Sequence, residues 1–441
     1  MVAKWDRRHW RASEKTRWLS RGFWALLDQG LFAGTNFLLH VLLARMLSES
    51  SYGSFASAYA IFLLMGVVHT SFLTEPMMVF GPGRFRRRLG TYLSWLINRH
   101  VKLSVLFGLA LFGAGCVLWA VGLRSNAHVI FAFAIAQGFI LLPWMLRNAC
   151  YIEGNPKPAA MSGAIYLLSV MGGVFLLWAS DGLNVVSAVL LMGVGSVLAG
   201  IFLIAVLRIP ISAPTRQAQG SVKTRRHWNY GRWAVATNLI RYMPEQLPYL
   251  LLPLLLTYAD AGAFKAIANL TVPFVLVIVS VSVLALPVLV REINEPRFHR
   301  LFFWLGVAMV VPPLLCWPFL GLVGPWTVEY LYDGKYVDQA GLLWIIAAIL
   351  PIGALGHVLE MAFKASERSD RVFACAAAAC ATLLATSVPL TLNFGLYGMA
   401  SSVFFAYMTQ SCVAWILFVR AGYMTSQSNV SDATRISHKH E

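Results

Sequence analysis

Arg241 and Glu245 stand one helical turn apart in a stretch otherwise rich in Leu, Tyr and Pro. A guanidinium keeps its charge at any physiological pH, and its paired N–H donors match the oxygens of a phosphate. Arg241 is therefore a candidate contact for a phosphate-bearing ligand, with Glu245 as a second contact or a proton carrier. The same spacing is also that of an i,i+4 ion pair, so a structural role stands beside the binding one. Pro244, Pro248 and Pro253 interrupt the segment. Each removes a backbone donor and can kink a helix, which in apolar surroundings is tolerated only against protein or a wet cavity. An ordinary proline kink with no ligand is the alternative.

A second set lies near the start of the chain. Asp28, Asn36 and His40 recur at multiples of four and share one helical face loosely. A carboxylate held away from water takes up protons readily, so Asp28 is a candidate for substrate contact and for carrying a coupling proton. A polar residue reaching water at the end of its span is the simpler reading. Arg45 closes the same segment as a further candidate substrate contact, and His69, with Glu75 beyond it, is a proton-coupling candidate. His357 and Glu360 have a spacing that could suit a metal pair, but two ligands on one helix do not make a site. A packed, hydrogen-bonded pair fits them better. Gly30 and Gly34 form a Gly-x-x-x-Gly pair that reads as close helix packing. The run Arg84, Arg86, Arg87 and Arg88 reads as an anchor to anionic headgroups. The six cysteines include no Cys-x-x-Cys pair, so neither a metal nor a redox centre is expected. No Gly-x-x-x-x-Gly-Lys-Ser/Thr loop occurs, which argues against direct use of ATP. No cofactor is expected.

What must position these residues is a set of membrane-crossing helices. Only 12% of the 441 residues are charged and 58% are hydrophobic, with a mean hydropathy of +0.66. Soluble domains carry roughly 25% charged residues, so this surface could not keep a water-soluble body of such size in solution. Apolar runs of about 20 residues, enough to cross a bilayer core, recur from end to end. They give about twelve spans, and those at 54–80 and 262–290 are long enough to require tilt or kinking. The formal charge of +16 is not a nucleic-acid footprint. With the N-terminus placed inside, 30 of the 35 Lys and Arg fall in the segments on that side. Such bias is the positive-inside pattern, so both termini are expected in the cytoplasm. The expected layout is a basic tail at 1–20, a six-helix bundle at 21–207, a cytoplasmic linker at 208–231, a second bundle at 232–420 and a tail at 421–441.

The two halves share a faint repeat at an offset of 209 residues: Gly22, Trp24 and Ala25 align with Gly231, Trp233 and Ala234, and Gly53 and Phe55 with Gly262 and Phe264. Halves of six spans share orientation, as parallel repeats. Leu42-Leu43-Ala44-Arg45-Met46-Leu47-Ser48 followed by Tyr52-Gly53-Ser54-Phe55-Ala56 resembles the first-helix signature of Wzx-like polysaccharide flippases. These belong to the multidrug/oligosaccharidyl-lipid/polysaccharide exporter superfamily. Gly22-Phe23-Trp24 with Asp28-Gln29-Gly30 fits the same opening, and Ala261-Gly262-Ala263-Phe264 resembles its second-half counterpart. The resemblance implies an all-α protein of two six-helix bundles around a central cavity lined by the first and seventh helices. It also implies a lipid-linked oligosaccharide as substrate, turned over by alternating access for surface polysaccharide (exopolysaccharide or O-antigen) biosynthesis. Arg241 would then meet the lipid pyrophosphate. The location would be the bacterial inner membrane, with the bilayer, a polysaccharide polymerase and chain-length proteins as partners. A cation-coupled multidrug exporter of the same fold is the alternative, though it favours a carboxylate-rich cavity. An enzyme, such as a polysaccharide polymerase or ligase, is a third reading. The external loop at 325–339, with Glu329, Asp333 and Asp338, is short for catalysis, so no enzyme is expected.

Overall fold

The computed structural model describes residues 3–210, 217–293, 295 and 297–421, and every regular element among them is helical. Helices α1 (Ala3–Met46), α2 (Glu49–His69), α3 (Glu75–Phe80), α4 (Leu89–Ala120), α5 (Arg124–Ile152), α6 (Lys157–Ala179) and α7 (Val185–Val206) form the first half. Then follow α8 (Gln217–Leu255), α9 (Tyr258–Asn269), α10 (Val272–Glu292), α11 (Phe298–Tyr332), α12 (Leu343–Ala365) and α13 (Ser369–Arg420). Ten segments among the described residues are long and apolar enough to cross a membrane. One of them, α13, is two helices joined at Gly395, whose φ of 58° and ψ of −135° only glycine adopts freely. The 39-residue α8 is too polar on average to count with the ten. Counting α13 twice and adding α8 accommodates the twelve expected crossings. The chain is a multi-pass membrane protein.

Both overlong spans break where the sequence demands it. The first passes from α2 through a π turn, Thr70–Thr74, into α3, which carries Pro76 in its first turn. The second divides into α9 and α10 at Leu270–Thr271, ahead of Pro273. There the Thr271 hydroxyl donates to the Ala268 carbonyl at 2.8 Å, satisfying an acceptor near the break.

The chain forms two compact units, 1–239 and 240–441. Their boundary lies inside α8, not in the segment 208–231 expected as a linker. From Gln217 on that segment is helical, while 211–216 lie outside the described residues, as do the tail beyond Ala421 and the first two residues. In the first unit α5 packs against α4 and α7, and α6 against α1 and α7. Its buried core includes Met77, Tyr92, Leu93, Leu96, Met145 and Leu203. Glycines permit close approach at α4–α5 and α6–α7, where a Cβ on Gly115 or Gly173 would lie 2.4 Å from the Phe131 ring or 2.3 Å from Leu191. The Gly30/Gly34 pair does not: neither has any atom within 4 Å of its Cβ direction, so the expected close-packing face is absent there. In the second unit α12 packs against α10, α11 and α13 around Phe298, Leu359, Phe363 and Phe418.

The repeat recurs in the helix boundaries. Met46 and Leu255 end α1 and α8, Glu49 and Tyr258 begin α2 and α9, and Leu89 and Phe298 begin α4 and α11. Each pair is 209 residues apart. Ser48 and Thr257, also 209 apart, are both extended N-caps whose hydroxyls accept from the backbone N–H three residues on.

Candidate functional site

In the second unit the polar side chains gather on α8, α9, α12 and α13. Arg241 is exposed and makes no ion pair or side-chain hydrogen bond among the described residues. The close ion pair with Glu245 that their spacing allows is therefore not formed. Both face a shared field: Glu245 feels Arg241 and Lys265, and Arg241 also acts on His357 and Lys364. Lys265, half-buried on α9, holds its ammonium 4.7 Å from the Tyr249 ring centroid, a cation–π contact that holds charge against an aromatic face. Tyr249 in turn sits edge-on to Phe264.

Glu360 on α12 is buried. Its Oε1 accepts from the Gln410 amide at 2.7 Å, its Oε2 lies 3.9 Å from Lys364 Nζ, and that Oε2 has no hydrogen-bond donor. The expected His357–Glu360 pair is not made, because Glu360 is taken by Gln410 from the neighbouring helix. Three basic side chains, Arg241, Lys265 and Lys364, thus face two carboxylates, Glu245 and Glu360. The excess positive charge and the uncommitted guanidinium give this set the chemistry to hold an anion. No group of three or more metal-type ligands occurs among the described residues.

The first unit arranges its candidates differently. Asp28 is fully buried. Arg147 Nε donates to its Oδ1 at 2.8 Å, Arg147 Nη2 donates to the Asp28 carbonyl at 3.3 Å, and the Tyr151 hydroxyl donates to Oδ2 at 2.7 Å. The guanidinium also lies 4.0 Å from the Phe32 ring centroid. Asp28 is thus not the water-reaching group its position suggested. Asn36 donates to the Phe32 carbonyl of its own helix at 2.9 Å, and His40 bonds Tyr52 at 3.1 Å. Arg45 is exposed in the last turn of α1, where a cation favours the helix dipole. His69 Nε2 meets His100 Nδ1 at 2.9 Å, both rings buried. Glu75 accepts from Asn238 at 2.7 Å.

Several participants escaped the sequence reading. By sequence Arg147, Lys265 and Lys364 belong only to the charge pattern at the ends of spans, and His100 has no signal at all. A basic residue within a turn of a span end reads as topology until its neighbour in space is known. Lys364, four residues after Glu360, was the one findable from local spacing.

No family model matches the chain, and no curated protein matches its sequence. Its fold does match solved structures. A multidrug-resistance MATE-family transporter of the MOP superfamily, in an inward-facing conformation, superimposes with a TM-score of 0.76 at 12% identity, over 91% of this chain and 96% of that one. The lipid II flippase MurJ in an inward closed conformation gives 0.65 at 15% identity, over 90% and 87%. A MOP-superfamily transporter from Pyrococcus furiosus, described as having a binding pocket of reverse polarity that suggests a different function, gives 0.58 at 9%, over 91% and 95%. The chain has the fold of the MOP-superfamily transporters.

Proposed function

We propose that the chain is a flippase that carries an oligosaccharide on a polyprenyl pyrophosphate from the cytoplasmic to the periplasmic leaflet of a bacterial inner membrane. The observation that supports this reading is the uncommitted Arg241 among an excess of cations in the second unit. A diphosphate is the kind of anion that such a set would stabilise in low dielectric, and Arg241 can grip two of its oxygens. Lys265 and Lys364 contribute charge without leaving their aromatic and carboxylate contacts. Glu245 then loses the attraction of Arg241 and becomes the group best placed to take up a proton as the anion arrives. Asp28, held by two donors, is a lesser candidate for that role, and His69 would act only through His100. Alternating access, polymerase and chain-length partners, and cytoplasmic termini belong to this reading.

A cation-coupled multidrug exporter is the second reading, favoured by the TM-score of 0.76 to a multidrug transporter. The two differ in the sign of charge they require at Arg241. Removal of a charged hydrogen-bond donor costs about 1.5–3 kcal/mol, so Arg241→Ala should lower glycan export roughly 10- to 100-fold at unchanged membrane abundance. Arg241→Lys should recover part of it. Unchanged glycan export together with altered cationic-drug efflux would replace the flippase with the exporter.

A further inference from the structure

In the first unit the buried Arg147 and Asp28 pair with each other, and the half-buried Glu75 accepts from the Asn238 amide. One cluster departs from this. Ahead of and within the first turns of α4, Phe85, Tyr92 and Trp95 stack in succession, with centroids 4.2 and 6.1 Å apart and planes within 22° and 11°. Lys223 of α8 places its ammonium 5.7 Å from the Phe85 centroid and 5.8 Å from that of Trp95. The Arg99 guanidinium lies 5.4 Å from the same Trp95 ring. Arg88 is near enough to repel Lys223. No carboxylate among the described residues pairs with any of the three cations. The Trp95 indole N–H, on a residue 4% exposed, has no acceptor.

We propose that Lys223, Arg99 and Arg88, set on the Phe85–Tyr92–Trp95 wall, form a binding site for a phosphate-ester anion. The aromatic faces hold Lys223 and Arg99, and a bound anion would relieve the repulsion between Lys223 and Arg88. Two or more N–H-bearing cations suit a tetrahedral oxyanion better than a single carboxylate does. Arg99 lies at the polar start of α4, immediately before its apolar stretch from Val101, and basic residues flanking an apolar stretch attract anionic phospholipid headgroups. The phosphate can therefore come from an anionic lipid headgroup or from a soluble phosphate ester. Burial, and then Arg88, hold the Lys223 ammonium below the usual lysine range, as expected of a cation awaiting a counter-charge. All of these residues belong to the first unit.

The test is the rate of Lys223 acetylation by an amine-reactive reagent, mapped by mass spectrometry on the full-length protein in nanodiscs. A nearby anion favours the unreactive ammonium, so binding should slow labelling about tenfold. Slowing by phosphatidylglycerol relative to phosphatidylcholine alone identifies a headgroup. Slowing by glycerol phosphate added to phosphatidylcholine nanodiscs identifies a soluble ester. In either case Arg99→Ala should abolish the slowing at Lys223, and Arg99→Lys should retain it. No slowing by either probe overturns the site. Equal slowing in Arg99→Ala also overturns it, since the effect would then be one of bulk surface charge.

Discussion

Taking a carboxylate out of water is costly unless donors replace its hydration, and Asp28 receives an arginine Nε–H and a tyrosine O–H. Arg147→Met should therefore destabilise the protein by about 3–5 kcal/mol, the usual result of orphaning one buried ionic partner. Asp28→Leu combined with Arg147→Met should recover most of the loss, measured by thermal unfolding in detergent. If the double variant is as unstable as the single one, the pair is not what holds the α1–α5 contact. A carrier role for Asp28 has its own signature: a changed pH profile of flux in the stable double variant. None of this was legible from spacing, because Asp28 and Arg147 are 119 residues apart. Asp28 could be singled out as an ionisable group in an apolar run. Its partner could not, since Arg147 sits five residues from the end of α5 and scores as a loop charge.

At the scale of elements, the π turn at Thr70–Thr74 is where α8 is gripped. A π turn disturbs the regular backbone ladder, and at its centre the Phe72 carbonyl accepts the His227 Nδ1–H at 2.8 Å. That bond fixes the tautomer, so the Tyr92 hydroxyl donates to Nε2 at 2.7 Å. Trp228 stacks on Phe72, and Asn238 donates to Ser71 and Glu75. A Cβ on Gly231 would lie 2.3 Å from the Phe72 ring, whereas its repeat counterpart Gly22 has open space. Gly231→Ala should thus cost about 1–3 kcal/mol from overpacking and Gly22→Ala much less, read by the same unfolding assay. Equal effects would show that α8 is not seated on Phe72. His227 adds a pH dependence. Burial lowers its pKa and Arg99 lowers it further, against the opposing Phe72 bond, while Lys223 and Tyr230 are the other titratable groups near it on α8. The unfolded chain then binds more protons below about pH 6.5. The stability His227 contributes is present above that pH and declines as pH falls through it. His227→Gln keeps a donor and an acceptor without titrating, so its stability should fall less than wild type between pH 7 and 5. The break in this span was legible, since 54–80 is too long to run straight. That the break serves as a socket was not, because its occupant is more than 150 residues away.

Across the whole molecule, composition and the 209-residue offset carry most of the information. Helix number follows from apolar run length, and the aligned starts of α2 and α9 follow from a repeated Ser/Thr cap. What composition leaves open is which partners each unit draws together, as at Glu360, where Gln410 displaces the expected His357. The orientation in the membrane rests on charge alone, and it has a direct test. The connections between helices turn at residues with positive φ, among them Gly122, Gly154, Asp181, Gly334 and Glu367, so a reporter joined there interrupts no helix. Basic residues concentrate on the side of Gly154 and Glu367, and retention of Lys and Arg in the cytoplasm predicts that this side is inside. Alkaline phosphatase, active only when exported, should be active when fused after Gly122, Asp181 or Gly334 and inactive after Gly154 or Glu367. The reverse pattern would turn the whole protein over and place the Lys223 site on the periplasmic surface. A mixed pattern would mean that one of the twelve crossings, with the polar α8 the first suspect, does not traverse the bilayer.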